Sequence, residues 1–106
     1  MKIYCGKKEP LLPFSARVYV GNKELLPDCS RKVRLCSSLG YEWGCLTPET
    51  RQLALAVILD VTGSVRKANR LCEAFAEDVL MYLPPQWVLT EEEIATWAVK
   101  RRSVAI

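Results

Sequence analysis

The stretch Thr47-Pro48-Glu49-Thr50-Arg51-Gln52-Leu53-Ala54-Leu55-Ala56-Val57-Ile58-Leu59-Asp60-Val61-Thr62-Gly63 decides the fold. Threonine followed by proline and an acid is a helix start. The threonine side chain can accept an orphan amide, proline loses nothing at the first helical position, and the carboxylate meets the positive end of the helix dipole. Gly63 is the stop, so the segment predicts a helix over 48–62. Inside it, Leu53 to Leu59 is apolar without a break. A helix that is apolar all round has to be covered all round, which places it centrally, with a sheet on one side and other helices on the other. The run is also far shorter than the roughly 20 residues that cross a bilayer, so no membrane partner is expected.

Two further helices follow. Ser64 caps the second, in which Ala68, Leu71, Cys72, Phe75, Ala76, Val79, Leu80 and Leu83 recur at helical spacing as far as Pro84-Pro85. Thr90 and Glu93 fit a capping box, with Leu89 placed to staple Ile94. The third helix then runs to about Arg102, burying Ile94, Trp97 and Ala98 and setting Lys100, Arg101 and Arg102 at its negative end. Upstream, Ile3-Tyr4 begins a strand, and Ala16 to Val20 alternates. Gly21-Asn22 reads as a hairpin turn leading into Lys23 to Leu26. Val33-Arg34-Leu35 and Tyr41-Glu42-Trp43 are weaker strand candidates. The class is therefore α+β: a small N-terminal antiparallel β-hairpin or sheet packed against three C-terminal α-helices. One domain is expected over 1–106, with a β-rich half at 1–46 and a three-helix half at 47–106.

Composition excludes chemistry more than it suggests any. The 106 residues include no histidine, so no Ser-His or Cys-His nucleophile, no neutral-pH imidazole base and no histidine-containing metal site can be built. The five cysteines (Cys5, Cys29, Cys36, Cys45, Cys72) contain no Cys-x-x-Cys pair, and their odd number with no apolar leader reads as free thiols in a cytoplasmic protein. Glu91-Glu92-Glu93 is explained by capping, and Glu77-Asp78 diverges around a helix, so no catalytic carboxylate pair appears. No phosphate-binding or dinucleotide fingerprint is present. Neither catalytic residues nor cofactors nor metals are expected, and the net charge of +3 identifies no partner by itself.

Ile3-Tyr4-x-Gly6, the hairpin, Gly40-Tyr41-Glu42-Trp43-Gly44, Gln52-Leu53-Ala54-Leu55-Ala56, Phe75, Trp87 with Leu89-Thr90, and Ile94 with Trp97 occur in an order that resembles a small bacterial, archaeal and phage family. This is domain-of-unknown-function family 6166. The likeness spans nearly the whole chain, and the aromatic-Glu-Trp-Gly run eight residues before Gln-Leu-Ala-Leu-Ala is its specific part. Between the tryptophan and the glutamine the family is glycine-rich, whereas only Gly44 matches that pattern here. The resemblance implies no activity. It implies an accessory role in phages, plasmids and other mobile elements.

Three groups of residues are candidate sites. Trp43, Gly44, Arg51 and Gln52 lie where the β half gives way to the buried helix. There a ring and an amide offer stacking and two-sided hydrogen bonding to a nucleobase or a partner's peptide group. Ser64, Arg66 and Lys67 form an anion candidate, because two cations occupy a first helical turn that already favours anions. Arg31, Lys32 and Arg34, with Lys7, Lys8 and Arg17, suggest a basic patch near Tyr19 and Tyr41 for single-stranded nucleic acid. Against each stands a structural reading: core packing and loop anchoring for the first, solvated basic residues for the others. The expected function is a non-enzymatic accessory protein that binds a macromolecular partner, foremost a protein such as a host-defence component. A small-ligand binder for a nucleotide or other anion is the alternative, and nucleic acid ranks behind both.

Overall fold

A computed structural model describes residues 1–104, with side chains as far as Arg101. Its nine elements are β1 (Ile3–Lys7), β2 (Arg17–Val20), β3 (Lys23–Glu24), α1 (Asp28–Val33), α2 (Pro48–Thr62), α3 (Val65–Asp78), a 3-10 turn (Leu80–Tyr82), β4 (Gln86–Thr90) and α4 (Glu91–Val104). The strands form one antiparallel sheet in the order β3-β2-β1-β4. The class is α+β, as expected.

Helix α2 has the predicted ends. Thr47 and Thr50 cap each other reciprocally, and Gly63 closes the helix in the left-handed region at φ +64° with its amide on the Leu59 carbonyl at 2.8 Å. Every residue from Gln52 to Ile58 is buried, as an all-round apolar segment requires. Helix α3 packs along it through Ala68, Leu71, Cys72, Phe75 and Ala76. Ser64 caps α3, and the Thr90–Glu93 box opens α4.

Four expectations need correction. Helix α3 ends at Asp78, not at Leu83: the residue before Pro84 is driven out of the helical region, and Leu83 is extended at ψ 140°. Leu80 is still buried, because the 3-10 turn keeps the apolar stripe pointed inward after the α-helix has stopped. Val33-Arg34-Leu35 is not a strand. Asp28–Val33 is helical, started by the Pro27 carbonyl, which accepts from both the Arg31 amide and the Ser30 hydroxyl. Tyr41-Glu42-Trp43 is irregular and buried at both aromatics. The fourth place in the sheet belongs instead to Gln86–Thr90, inside the segment expected to be purely helical. The two halves therefore interleave, with a helix in the first and a strand in the second.

The side of the sheet facing the helices carries Tyr4, Gly6, Val18 and Trp87, all buried. Gly6 lies opposite Trp87 in the register, and a methyl group at Gly6 would overlap the indole. Trp87 in turn meets Trp43 edge to face at 5.6 Å between centroids. Gly6→Ala is expected to lose about 1–3 kcal/mol or more through overpacking. Gly21→Ala at the open hairpin turn should lose only the ~1–2 kcal/mol of a left-handed non-glycine residue. Chemical denaturation compares them, and a loss at Gly6 no larger than at Gly21 would mean that the indole does not constrain the strand.

Candidate functional site

The junction between the sheet and α2 is built from the residues singled out in the sequence, but in another role. Gln52 is fully buried, and its amide is saturated. Oε1 accepts from the amides of Cys36 at 2.7 Å and Ser37 at 3.0 Å, while Nε2 donates to the Ser30 hydroxyl at 3.0 Å and the Arg34 carbonyl at 3.3 Å. Trp43 is also fully buried, with Nε1 donating to the Pro84 carbonyl at 2.9 Å. The ammonium of Lys8 sits 5.1 Å from its ring centroid, bonds its carbonyl at 2.8 Å and pairs with Glu42. Gly44, at φ +77°, lets its amide reach the Leu80 carbonyl at 2.8 Å. Neither Trp43 nor Gln52 is offered to a ligand, which corrects the expectation of an accessible ring and amide. Arg51 is half-exposed, with Nε on both carboxylate oxygens of Glu73 at 2.9 and 3.0 Å.

Most of the basic residues of the first half are engaged by other groups of the fold, with Lys8 on Glu42 and Arg17 beside Glu24. Arg31 turns back to the Ser37 carbonyl at 3.1 Å. Arg34 places Nη2 2.7 Å from the Cys72 sulfur, and a hydrogen bond it donates to the Cys36 side chain is the main reason its guanidinium is held above its usual pKa. Only Lys32 of that trio is exposed and without a partner among the described residues. At the start of α3, the Ser64 hydroxyl already accepts the Lys67 amide at 3.1 Å, and Arg66 and Lys67 project into solvent.

Two surfaces were missed in the sequence. A groove of about 620 Å³ opens between the β2–β3 hairpin, α1 and the end of α2, with Val20, Leu25, Leu26, Ala56 and Leu59 among its walls. Asp60 at its rim accepts from the Tyr4 hydroxyl at 2.6 Å and pairs with Lys2. The second surface is the loop joining β1 to β2, where Leu11, Leu12 and Phe14 are 99, 61 and 68 % exposed. The loop is ordered by its own bonds. Glu9 and Ser15 hold each other through the Ser15 hydroxyl at 2.9 and 3.0 Å, the Leu12 amide closes a turn on the Glu9 carbonyl, and Arg17 ties down the carbonyls of Phe14 and Ala16. Phe14 has φ +59°, a left-handed conformation that costs a phenylalanine about 1–2 kcal/mol. The signal was present in the sequence as Pro10-Leu11-Leu12-Pro13-Phe14: apolar residues between prolines, where neither a helix nor a strand forms to bury them.

All five cysteines are free thiols, and burial pushes the Cys72 thiol up. Burial also raises Tyr41, whose hydroxyl has no hydrogen-bond partner, and raises Tyr4, where the bond to Asp60 adds to the effect. No group of three or more metal-ligating side chains exists among the described residues, and no helix there is long and apolar enough to cross a membrane.

Two measurements test this description. Gln52→Ala strands the amide donors of Cys36 and Ser37, takes a donor from the Ser30 hydroxyl and the Arg34 carbonyl, and should lose about 3 kcal/mol or more, since each unsatisfied group costs about 1–3 kcal/mol. A near-neutral result would return Gln52 to the list of recognition residues. The second is alkaline stability. Above pH ~9–10 the unfolded chain releases protons that folded Cys72, Tyr4 and Tyr41 retain, so the folded state binds more protons and stability falls as pH rises. Tyr41→Phe should flatten that fall and leave stability near neutral pH within about 1 kcal/mol, because the lost hydroxyl is unbonded. Denaturation curves at neutral and alkaline pH decide it.

Neither the curated proteins nor the solved structures include one that matches this chain. A protein-family model, described as a family of unknown function (DUF6166), matches residues 4–100.

Proposed function

Because the chain belongs to the DUF6166 family, for which no function is described, its role has to be read from its own surface, and we propose a non-enzymatic accessory protein that works by binding another protein. The observation that carries this reading is the ordered β1–β2 loop with Leu11, Leu12 and Phe14 in solvent. Three large apolar side chains on one short segment are unfavourable in a free monomer and suit a partner's apolar cleft. The internal Glu9–Ser15 bonds and the two prolines restrict the loop before any contact, which lowers the entropy lost on binding. The lack of histidine and of a carboxylate pair in the sequence supports a non-enzymatic role. The mobile-element setting implied by the family resemblance makes a host-defence component the partner class to test first.

The small-ligand alternative moves with the structure. A nucleotide against Trp43 and Gln52 has no access, whereas the groove beside Leu25 and Leu59 suits a ligand with an apolar body.

The test uses the full chain as bait in lysate of its native host, beside a Leu11→Ser/Phe14→Ser variant. The expected result is a partner retained by the parent and depleted at least about tenfold by the variant, with melting temperatures within about 2 °C of each other. Equal retention by both proteins would remove the loop from the interface. A melting temperature that rises with millimolar nucleotides or apolar ligands would favour the ligand reading instead.

A further inference from the structure

The edge of the sheet at β4 has a hydrogen-bonding pattern that specifies its occupant. At one end of the β1–β4 ladder the Glu91 amide bonds the Lys2 carbonyl at 2.9 Å, and at the other the Lys8 amide bonds the Pro85 carbonyl at 3.2 Å. Antiparallel pairs alternate between bonded and non-bonded, so Leu89 with Tyr4 and Trp87 with Gly6 exchange bonds inward. Val88 and Gln86 then direct their amides and carbonyls away from β1, along the outer edge. Thr90 is the exception at the far end, since its amide is taken by Glu93 at 3.0 Å. Only an extended backbone satisfies alternating donors and acceptors at this spacing.

The two edges of the sheet differ. Strand β3 is two residues long, and both are charged, which is the ordinary way of blunting an edge. Strand β4 reads Gln-Trp-Val-Leu-Thr, with no charge, no bulge and Val88 63 % exposed. On the face away from the helices, Val88 stands directly beside Cys5, and Cys5 beside Tyr19, so an apolar row runs to the edge and stops there.

We propose that β4 pairs with β4 of a second copy of this chain, antiparallel about a two-fold axis at Val88, making one eight-stranded sheet. A two-fold axis at that residue brings its outward amide and carbonyl to their own counterparts. It also sets the Gln86 amide toward the partner's Thr90 carbonyl. An uncharged strand meets itself without like-charge repulsion, and the row Tyr19–Cys5–Val88 continues across the axis into its symmetry mate. Because Thr90 keeps its amide for the helix cap and the outward carbonyl of Pro84 already accepts from Trp43 Nε1, the ladder is short, and the dimer is a reversible one.

Sedimentation and amide exchange between about 10 µM and about 1 mM test the pairing on the intact chain. Dimer is expected to grow with concentration, with the Val88 amide slowing at least about tenfold as it does. Val88→Lys places two cations side by side at the axis, while position 88 is exposed in the monomer, so the fold should persist and dimerisation weaken at least about tenfold. Val88→Pro removes the outward donor alone and should act likewise. A parent that stays monomeric throughout the range overturns the proposal. So does a dimer that Val88→Lys leaves intact, or one in which Val88 exchange does not depend on concentration. Leu11→Ser/Phe14→Ser should leave the dimer unchanged, which separates this edge from the loop of the proposed function.

Discussion

The buried amide of Gln52 is the constraint on which the middle of the molecule depends. Residues 34–46 contain no regular element, yet several of their backbone groups lie in the interior, where an unpaired amide is costly. A single side chain on α2 answers for four of the polar groups around it, fixing the end of α1 and the loop that follows. From there the chain delivers Tyr41 and Trp43 to the core, and Trp43 meets the indole that lies across Gly6. A polar residue in the middle of an apolar helix is thereby explained by its neighbours, and its donors and acceptors are spent inside the fold.

The legible parts of the sequence were those whose signal is local. The starts of α2, α3 and α4 follow from side chains that bond amides three residues away, and the end of α2 from a glycine in the left-handed region. The hairpin at Gly21 follows from one turn residue at φ +62°. What could not be read was set by partners distant in the chain. Gln86–Thr90 is a strand because β1 has an open side; alone, five residues between two prolines and a helix cap carry too little periodicity to announce one. Val33 and Leu35 have strand-like composition, but the Pro27 carbonyl starts a helix turn ahead of them. Trp43 and Gln52 stand out in the sequence as a ring and an amide capable of stacking and two-sided hydrogen bonding. Burial, which sequence does not report, turned that chemistry inward.

Once those residues are committed to the interior, the surface left to a partner under the proposed function is what the core leaves outside. The β1–β2 loop spends backbone strain at Phe14 on presenting its ring to solvent, and its bonds hold that geometry without help from the helices. The β4 edge and the face beside it are uncovered because all helices lie on the other side of the sheet. These surfaces are separate: one is a tip of side chains, the other a line of backbone groups.

The pairing of β1 with β4 has a consequence for how the chain is made. Ile3 finds Thr90 only after all the intervening residues have been synthesised, so β1 waits longer for β4 than for β2. Until then Tyr4 and Gly6 have a hairpin on one side and nothing on the other, and Trp43 lacks the indole it packs against. Such non-local closure slows folding relative to a helical bundle of equal size, because the entropy of a long loop is lost before its contacts form. Helices α1 and α3 can assemble early around α2, but the sheet is completed only once β4 is available to β1.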